Sequence, residues 1–231
     1  MLGPPGGGYM GTLVAVILPY VAALLLVAGA VYRVGSWSRA PKKLNWKLYP
    51  VPHGITGEAG YILEEWLSFK MLFRHNRAVW LGSYVFHLSL VALAAWFLLL
   101  LAGVGVAWLV RLGAAGLFLA SAYLFLLRLW VPQMRLLSSL VEFFNLALFM
   151  AISALGWSLM GQGLAGELRS WAVSVLSLRP VALPPEGTLL LFVFLVEFFL
   201  AYLPFSKMFH AASKYFAFHK SRWLNPYEVS R

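Results

Sequence analysis

The sequence predicts an all-α integral membrane protein, a single bundle of five transmembrane helices with its N-terminus outside and its C-terminus cytoplasmic. Three observations carry this expectation. Apolar residues make up 61% of the 231 residues and charged residues 11%, with no aspartate, whereas a water-facing surface needs roughly a quarter of its residues charged. Five apolar runs, at about 11–32, 79–101, 112–131, 137–160 and 188–210, each approach the ~20 residues that a spanning helix requires. Alternating the sides of these spans gathers all of the 18 Lys and Arg residues except Arg111, Arg169 and Arg179 onto one face, and the basic face is the cytoplasmic one.

The first run follows MLGPPGGGYM, which lacks a basic n-region, and continues apolar for a full span before Arg33, so it is expected to be a retained helix and not a cleaved signal. Pro19 in this span and Pro204 in the fifth are expected to kink their helices and free a carbonyl. The cytoplasmic loop 33–78 is the longest connection, and structureless loops of that length are uncommon without a role. Within it Ile62, Trp66, Phe69 and Phe73 recur at helical spacing opposite Glu64, Glu65 and Lys70. They predict one interfacial helix that either lies along the headgroups or forms a docking floor for a soluble subunit. In the outer loop 161–187, residues Leu168–Leu178 carry a similar apolar face around Trp171 and are expected to cap the bundle. No repeat of helix pairs is detectable along the chain.

The absence of cysteine excludes disulfides, cysteine-ligated iron–sulfur clusters and C-x-x-C-H haem attachment within this sequence, so any such centre belongs to a partner. In a membrane protein the net charge of +10 reports orientation and contact with anionic lipid, not nucleic acid.

Ionisable groups are costly in hydrocarbon, so those inside spans are functional candidates by default. They are His87, Glu142, Glu197, His210 and, near a span end, Arg128. Two neutral imidazoles on different helices can ligate one haem iron axially. The other reading is that His87 hydrogen-bonds a neighbouring helix while His210 sits at the headgroups. Ser206, Lys207, Ser213 and Lys214 can meet haem propionates or serve as ordinary interfacial anchors. Glu197, near the middle of the fifth span, is a candidate for a quinone site or a neutral hydrogen-bonded carboxyl. Thirteen residues separate it from His210, which on a continuous helix places the two roughly 140° apart. Glu142 is expected to pair with Arg135 or Arg128. His53, His75 and His219 read as surface histidines, with His219 a lesser substitute ligand.

Three segments carry a resemblance: LPYVAALLLVAGAVYRVGSWSRAP at 18–41, LEEWLSFKMLFRHNRAVWLGSYVFHLSL at 63–90 and LPFSKMFH at 203–210. Together they resemble the cytochrome b membrane subunit of respiratory nitrate reductase, the gamma subunit, and its relatives in sulfite-reduction and heterodisulfide-reductase complexes. The Ser-Arg-Ala-Pro exit and the long first loop are closer to the sulfite-reduction and heterodisulfide branch. The resemblance implies a five-helix bundle with two stacked b haems, held by two histidines on the second span and two on the fifth. His87 and His210 match the pair expected at the haem nearer the cytoplasm. The positions of the other pair, ten residues after His87 and eighteen before His210, hold Phe97 and Phe192. Eighteen residues of continuous helix would keep Phe192 on the face of His210, about 27 Å away. The matched loss implies one non-covalent haem b ligated through its iron by His87 and His210, with the outer site filled by side chains, lipid or quinone.

The resemblance further implies a respiratory role in a prokaryotic cell membrane, exchanging electrons between the quinone pool, menaquinol by family habit, and a cytoplasmic iron–sulfur subunit. That partner would be heterodisulfide-reductase-like or nitrate-reductase beta-like, and further membrane subunits can accompany it. Terminal catalysis would belong to the partner. Two alternatives stand beside this reading: a haem-free membrane anchor or assembly subunit, and a small transporter using Glu197, Pro204 and Glu142. Many transporters show paired broken helices in two halves, a pairing that the sequence lacks.

Overall fold

A computed structural model describes residues 9–39, 54–183, 187–210, 212–213 and 216. Among them every regular element is helical, and five helices are long and apolar enough to cross a membrane. In chain order these elements are α1 (Tyr9–Arg39), α2 (Ile55–Ser68), α3 (Lys70–His75), α4 (Arg77–Leu101), α5 (Ala107–Trp130), α6 (Pro132–Leu136), α7 (Leu140–Gly161), α8 (Ala165–Leu176) and α9 (Gly187–Tyr202), followed by two short 3-10 turns. Helices satisfy every interior backbone group within their own segment, which is what the hydrocarbon phase demands. Much of their apolar surface stays on the outside of the protein, as with Leu24, Leu98, Leu112 and Leu119, because lipid tails are as apolar as leucine.

The chain forms two compact units. Unit 1 comprises residues up to Val21 and Leu72–Phe199; unit 2 comprises Ala22–Met71 and the residues from Leu200 onward.

In unit 1, α5 packs closely on both α4 and α7. Small residues make that approach possible: a Cβ at Gly82 would stand 2.7 Å from Leu124 Cδ2, and one at Gly113 would stand 2.9 Å from Leu93 Cγ. Helix ends are capped locally. Asn76 Oδ1 accepts the Val79 amide at 3.0 Å at the start of α4. Ser139 donates its backbone N–H to Glu142 Oε2 at 2.7 Å, and its hydroxyl to the same carboxylate, at the start of α7. At the far end of α4, Arg169 Nε and Nη2 donate to the carbonyls of Leu100 at 2.9 Å and Leu101 at 3.4 Å. The last carbonyls of α4 thereby gain a cation, Leu100 O in addition to the Gly103 amide that it accepts at 3.0 Å, and Gly103 turns the chain beside it with φ 82°.

The end of unit 1 around Gly103 holds the apolar core: Ala15, Trp96, Leu100, Leu159, Leu189 and Val193 are buried together, with Leu168 of α8 closing over them. The capping helix expected around Trp171 is present as α8. Its purpose is specific. Residues Leu13–Ile17 of α1 form a π turn, and the Trp171 indole N–H donates to Ala15 O at 2.8 Å within it. Tyr20 adds a hydrogen bond from its hydroxyl to Val175 O at 3.2 Å.

In unit 2, the second part of α1 packs on the chain that follows α9. A Cβ at Gly29 would stand 2.7 Å from Pro204 Cγ, Arg33 Nη2 donates to Phe205 O at 3.3 Å, and Trp37 stacks on Phe209 with centroids 5.9 Å apart. The kink expected at Pro204 is a full break: α-helix ends at Tyr202, Leu203–Phe205 tighten to 3-10, and Ser206 is extended with φ −101° and ψ 169°. The fifth span therefore does not run as one helix to residue 210.

The single amphipathic helix expected through Ile62, Trp66, Phe69 and Phe73 is two helices. Phe69 adopts the left-handed conformation with φ 50° and separates α2 from α3. Glu65, expected on the polar outer face, is 3% exposed and accepts the Met71 amide on Oε1 at 3.2 Å. Lys70 reaches back across the break to Glu64 at 2.6 Å. Glu65 thus satisfies an amide that the break would leave bare, while the Glu64–Lys70 ion pair spans the break.

Candidate functional site

His87 lies on α4, ten residues past Arg77, or about 15 Å along the helix axis. Its half-buried ring places Nδ1 2.7 Å from Ser83 O, one turn earlier. A carbonyl can only accept, so Nδ1 carries the hydrogen, and in the neutral ring Nε2 is the nitrogen with the lone pair. A backbone acceptor of this kind orients histidines that ligate metals. His210 lies in unit 2, exposed, immediately after the second 3-10 turn, and its carbonyl accepts the Ser213 hydroxyl at 3.0 Å. The break at Ser206 removes the continuous helix on which the angular offset from Glu197 and the shared face with Phe192 were reckoned.

Ser206 is buried, and its hydroxyl is committed to the turn: it donates to Leu203 O at 2.9 Å and accepts the Met208 amide at 3.1 Å. It thereby shapes the segment that carries His210. Lys207 is exposed in that segment. Lys214, His53 and His219 lie outside the described residues. His75 is exposed on α3. Among the described residues no three His, Cys, Asp or Glu side chains gather as a metal-holding group; a two-histidine ligand set requires none.

Phe97 is partly exposed on α4. Phe192 packs against the apolar core of unit 1, its ring 3.3 Å from where a Cβ on Gly156 of α7 would stand. The space around the Phe192 position is thus taken by side chains. Glu142 spends its hydrogen bonds on Ser139 at the α7 N-terminus, while its charge acts on Arg128. Arg128 donates to Leu124 O at 3.2 Å.

Glu197 is 5% exposed, and neither carboxyl oxygen has a hydrogen-bond partner among the described residues. It has company that a search for ionisable groups overlooks. Ser121 Oγ on α5 and Asn145 Oδ1 on α7 are likewise buried and unpartnered. Ring contacts fix the axial register of these helices. Phe144 meets Phe198 at 6.1 Å, which levels Asn145 with the neighbourhood of Glu197. Phe125 meets Phe143 at 5.1 Å, which brings Ser121 within about a turn of Asn145. Phe86 meets Phe149 at 4.9 Å and Phe149 meets Phe199 at 5.1 Å, which sets His87 within about two turns of Asn145 along the helices. The signal for Asn145 was present in the sequence, as an amide inside an apolar span. Ser121 carries none, because a serine can return its hydroxyl to its own helix.

No protein-family model matches the chain. It is 28% identical to the Hdr-like menaquinol oxidoreductase cytochrome b-like subunit of Archaeoglobus fulgidus, over 90% of this chain and 79% of that protein. The similarity falls on the heterodisulfide side of the sequence resemblance, and the five long apolar helices are those expected of a multi-pass membrane protein.

Proposed function

We propose that this chain is the cytochrome b-type membrane subunit of a menaquinol-linked oxidoreductase, holding one haem b between His87 and His210. The observation that carries the reading is the His87 Nδ1 contact to Ser83 O at 2.7 Å, which presents Nε2 as a ligand nitrogen inside an apolar span. The similarity to a menaquinol oxidoreductase subunit supports it. Bound there, haem supplies reversible one-electron transfer.

The chain supplies the rest. Ser83 holds the His87 tautomer, and the Ser206 turn presents His210. Lys207 and Lys214 offer cations to the propionates. Phe97 and Phe192 occupy the second ligand pair's positions, so one haem is bound and not two. Glu197 belongs to the quinone side. The N-terminus lies outside, and the basic face, with α2 and α3, receives a cytoplasmic iron–sulfur subunit of the heterodisulfide-reductase-like kind, together with any further membrane subunits. Substrate chemistry resides on that partner.

The test is a reduced-minus-oxidised visible spectrum of the purified complex, with haem counted per chain. One b haem per chain is expected, lost in His87→Ala and in His210→Ala and kept in Phe192→Ala. Two haems, or a normal spectrum in both histidine variants, would overturn the ligand assignment. A complex that retains its other cofactors but has no haem would favour the haem-free anchor.

A further inference from the structure

We propose that Ser121, Asn145 and Glu197 form the hydrogen-bonding end of a quinone headgroup site in unit 1, with the groove between α5 and α7 taking the isoprenoid tail. This deepens the quinone half of the reading above and does not depend on haem.

The three residues are 0%, 9% and 5% exposed, sit on three helices, and leave Ser121 Oγ, Asn145 Oδ1 and both Glu197 oxygens without partners among the described residues. Buried polar atoms are ordinarily paired, and in hydrocarbon the pressure to pair them is greatest. Three such groups near one level of one unit mark a shared requirement. Their chemistry is that of a quinone pocket. A quinone offers two carbonyl acceptors and a hydroquinone two hydroxyl donors. Serine and asparagine both donate and accept, and a carboxyl accepts when ionised and also donates when protonated. The same three side chains therefore fit both oxidation states.

The groove is the second observation. It has a volume of about 360 Å³ and is lined by Ala114, Ala115, Phe118, Ser153, Ala154 and Trp157 among others. Its hydroxyl, on Ser153, is returned to Phe149 O, leaving apolar walls. Phe118 and Trp157 are 37% and 50% exposed, so the groove opens to the side of the unit where lipid would lie. Ala114, Phe118 and Ser121 fall on successive turns of one face of α5, so the groove's stripe on α5 continues to Ser121, with Phe118 one turn away as the side chain to be displaced. A phospholipid chain would fill the groove yet leave the polar atoms unpaired. A polar ring on an apolar tail answers both.

The test is equilibrium binding of a short-tailed menaquinone to the purified complex in phosphatidylcholine nanodiscs, read by displacement of a fluorescent hydroxyquinoline N-oxide. Thermal unfolding and the visible spectrum are recorded on each sample. Asn145→Leu should weaken binding about tenfold, the scale of one lost hydrogen bond, and Ala154→Phe should block it by filling the groove. Ser121→Ala, which removes one atom, should weaken binding several-fold with the unfolding midpoint unchanged, and it decides the matter if the larger changes misfold. Wild-type affinity in folded Ser121→Ala and Ala154→Phe, or no displacement from the wild type, would overturn the site. A missing haem spectrum with weakened variants would remove the cytochrome reading and leave this site standing; a normal spectrum with unchanged affinities would do the reverse.

Discussion

The two halves of unit 1 are built on opposite terms. At the Gly103 end, side chains of all five spans and α8 close into a dense apolar core, and side chains donate to backbone carbonyls there: Trp171 serves the π turn at Ala15, and Arg169 serves the end of α4. Toward Pro132 aromatic rings join the helices beside the close Gly82–Leu124 approach, and Ser121 Oγ, Asn145 Oδ1 and both Glu197 oxygens stay buried without partners among the described residues. In one half polar groups were brought in to repair the backbone. In the other, buried polar side-chain atoms have no partner among the described residues. The first pattern is what stability alone requires. The second costs stability and is the expected mark of a site.

Three substitutions would break or sharpen this contrast. The largest effect is expected from Leu189→Ala, because Leu189 is fully buried in the packed half; it should lower unfolding stability by about 2–5 kcal/mol, measured by denaturant titration in detergent micelles. A loss below about 1 kcal/mol would mean the core is looser than its burial indicates. Trp171→Phe keeps the ring but removes the donor to Ala15 O, and should cost about 1–3 kcal/mol in the same titration, with faster amide exchange confined to the π turn. Uniform exchange would show that Trp171 acts by packing alone. The smallest effect is expected in the other half. Ser121→Ala removes an unpaired hydroxyl and should change stability by no more than about 0.5 kcal/mol, in the stabilising direction if anything. A large loss would reveal that Ser121 is paired and would erase the distinction between the halves.

Part of the candidate site was legible in the residues. His87, Glu197 and His210 stand out because charge and imidazole are rare in apolar spans. Asn145 was legible to a search for polar groups and missed by one for ionisable groups. Ser121 and Arg169 were not legible, since a span serine and a loop arginine are unremarkable until the partner atoms are known. The helix arithmetic linking Glu197, Phe192 and His210 failed for the same reason. It assumed 3.6 residues per turn through Pro204, whereas the chain breaks between Tyr202 and Ser206.

What the sequence determined by itself was everything that depends on the solvent. An apolar run of this length in hydrocarbon must be helical, since no water is available to the backbone, and so five spans, their order and the cap around Trp171 follow from composition and periodicity. What only the tertiary structure decided was pairing: Pro204 against Gly29, Glu65 turned inward to Met71, Arg169 placed on the end of α4, and polar atoms of Ser121, Asn145 and Glu197 buried without a partner among the described residues. Lipid contributes almost nothing to choosing between one apolar contact and another, so those choices rest on close packing and on hydrogen bonds between residues far apart in the chain.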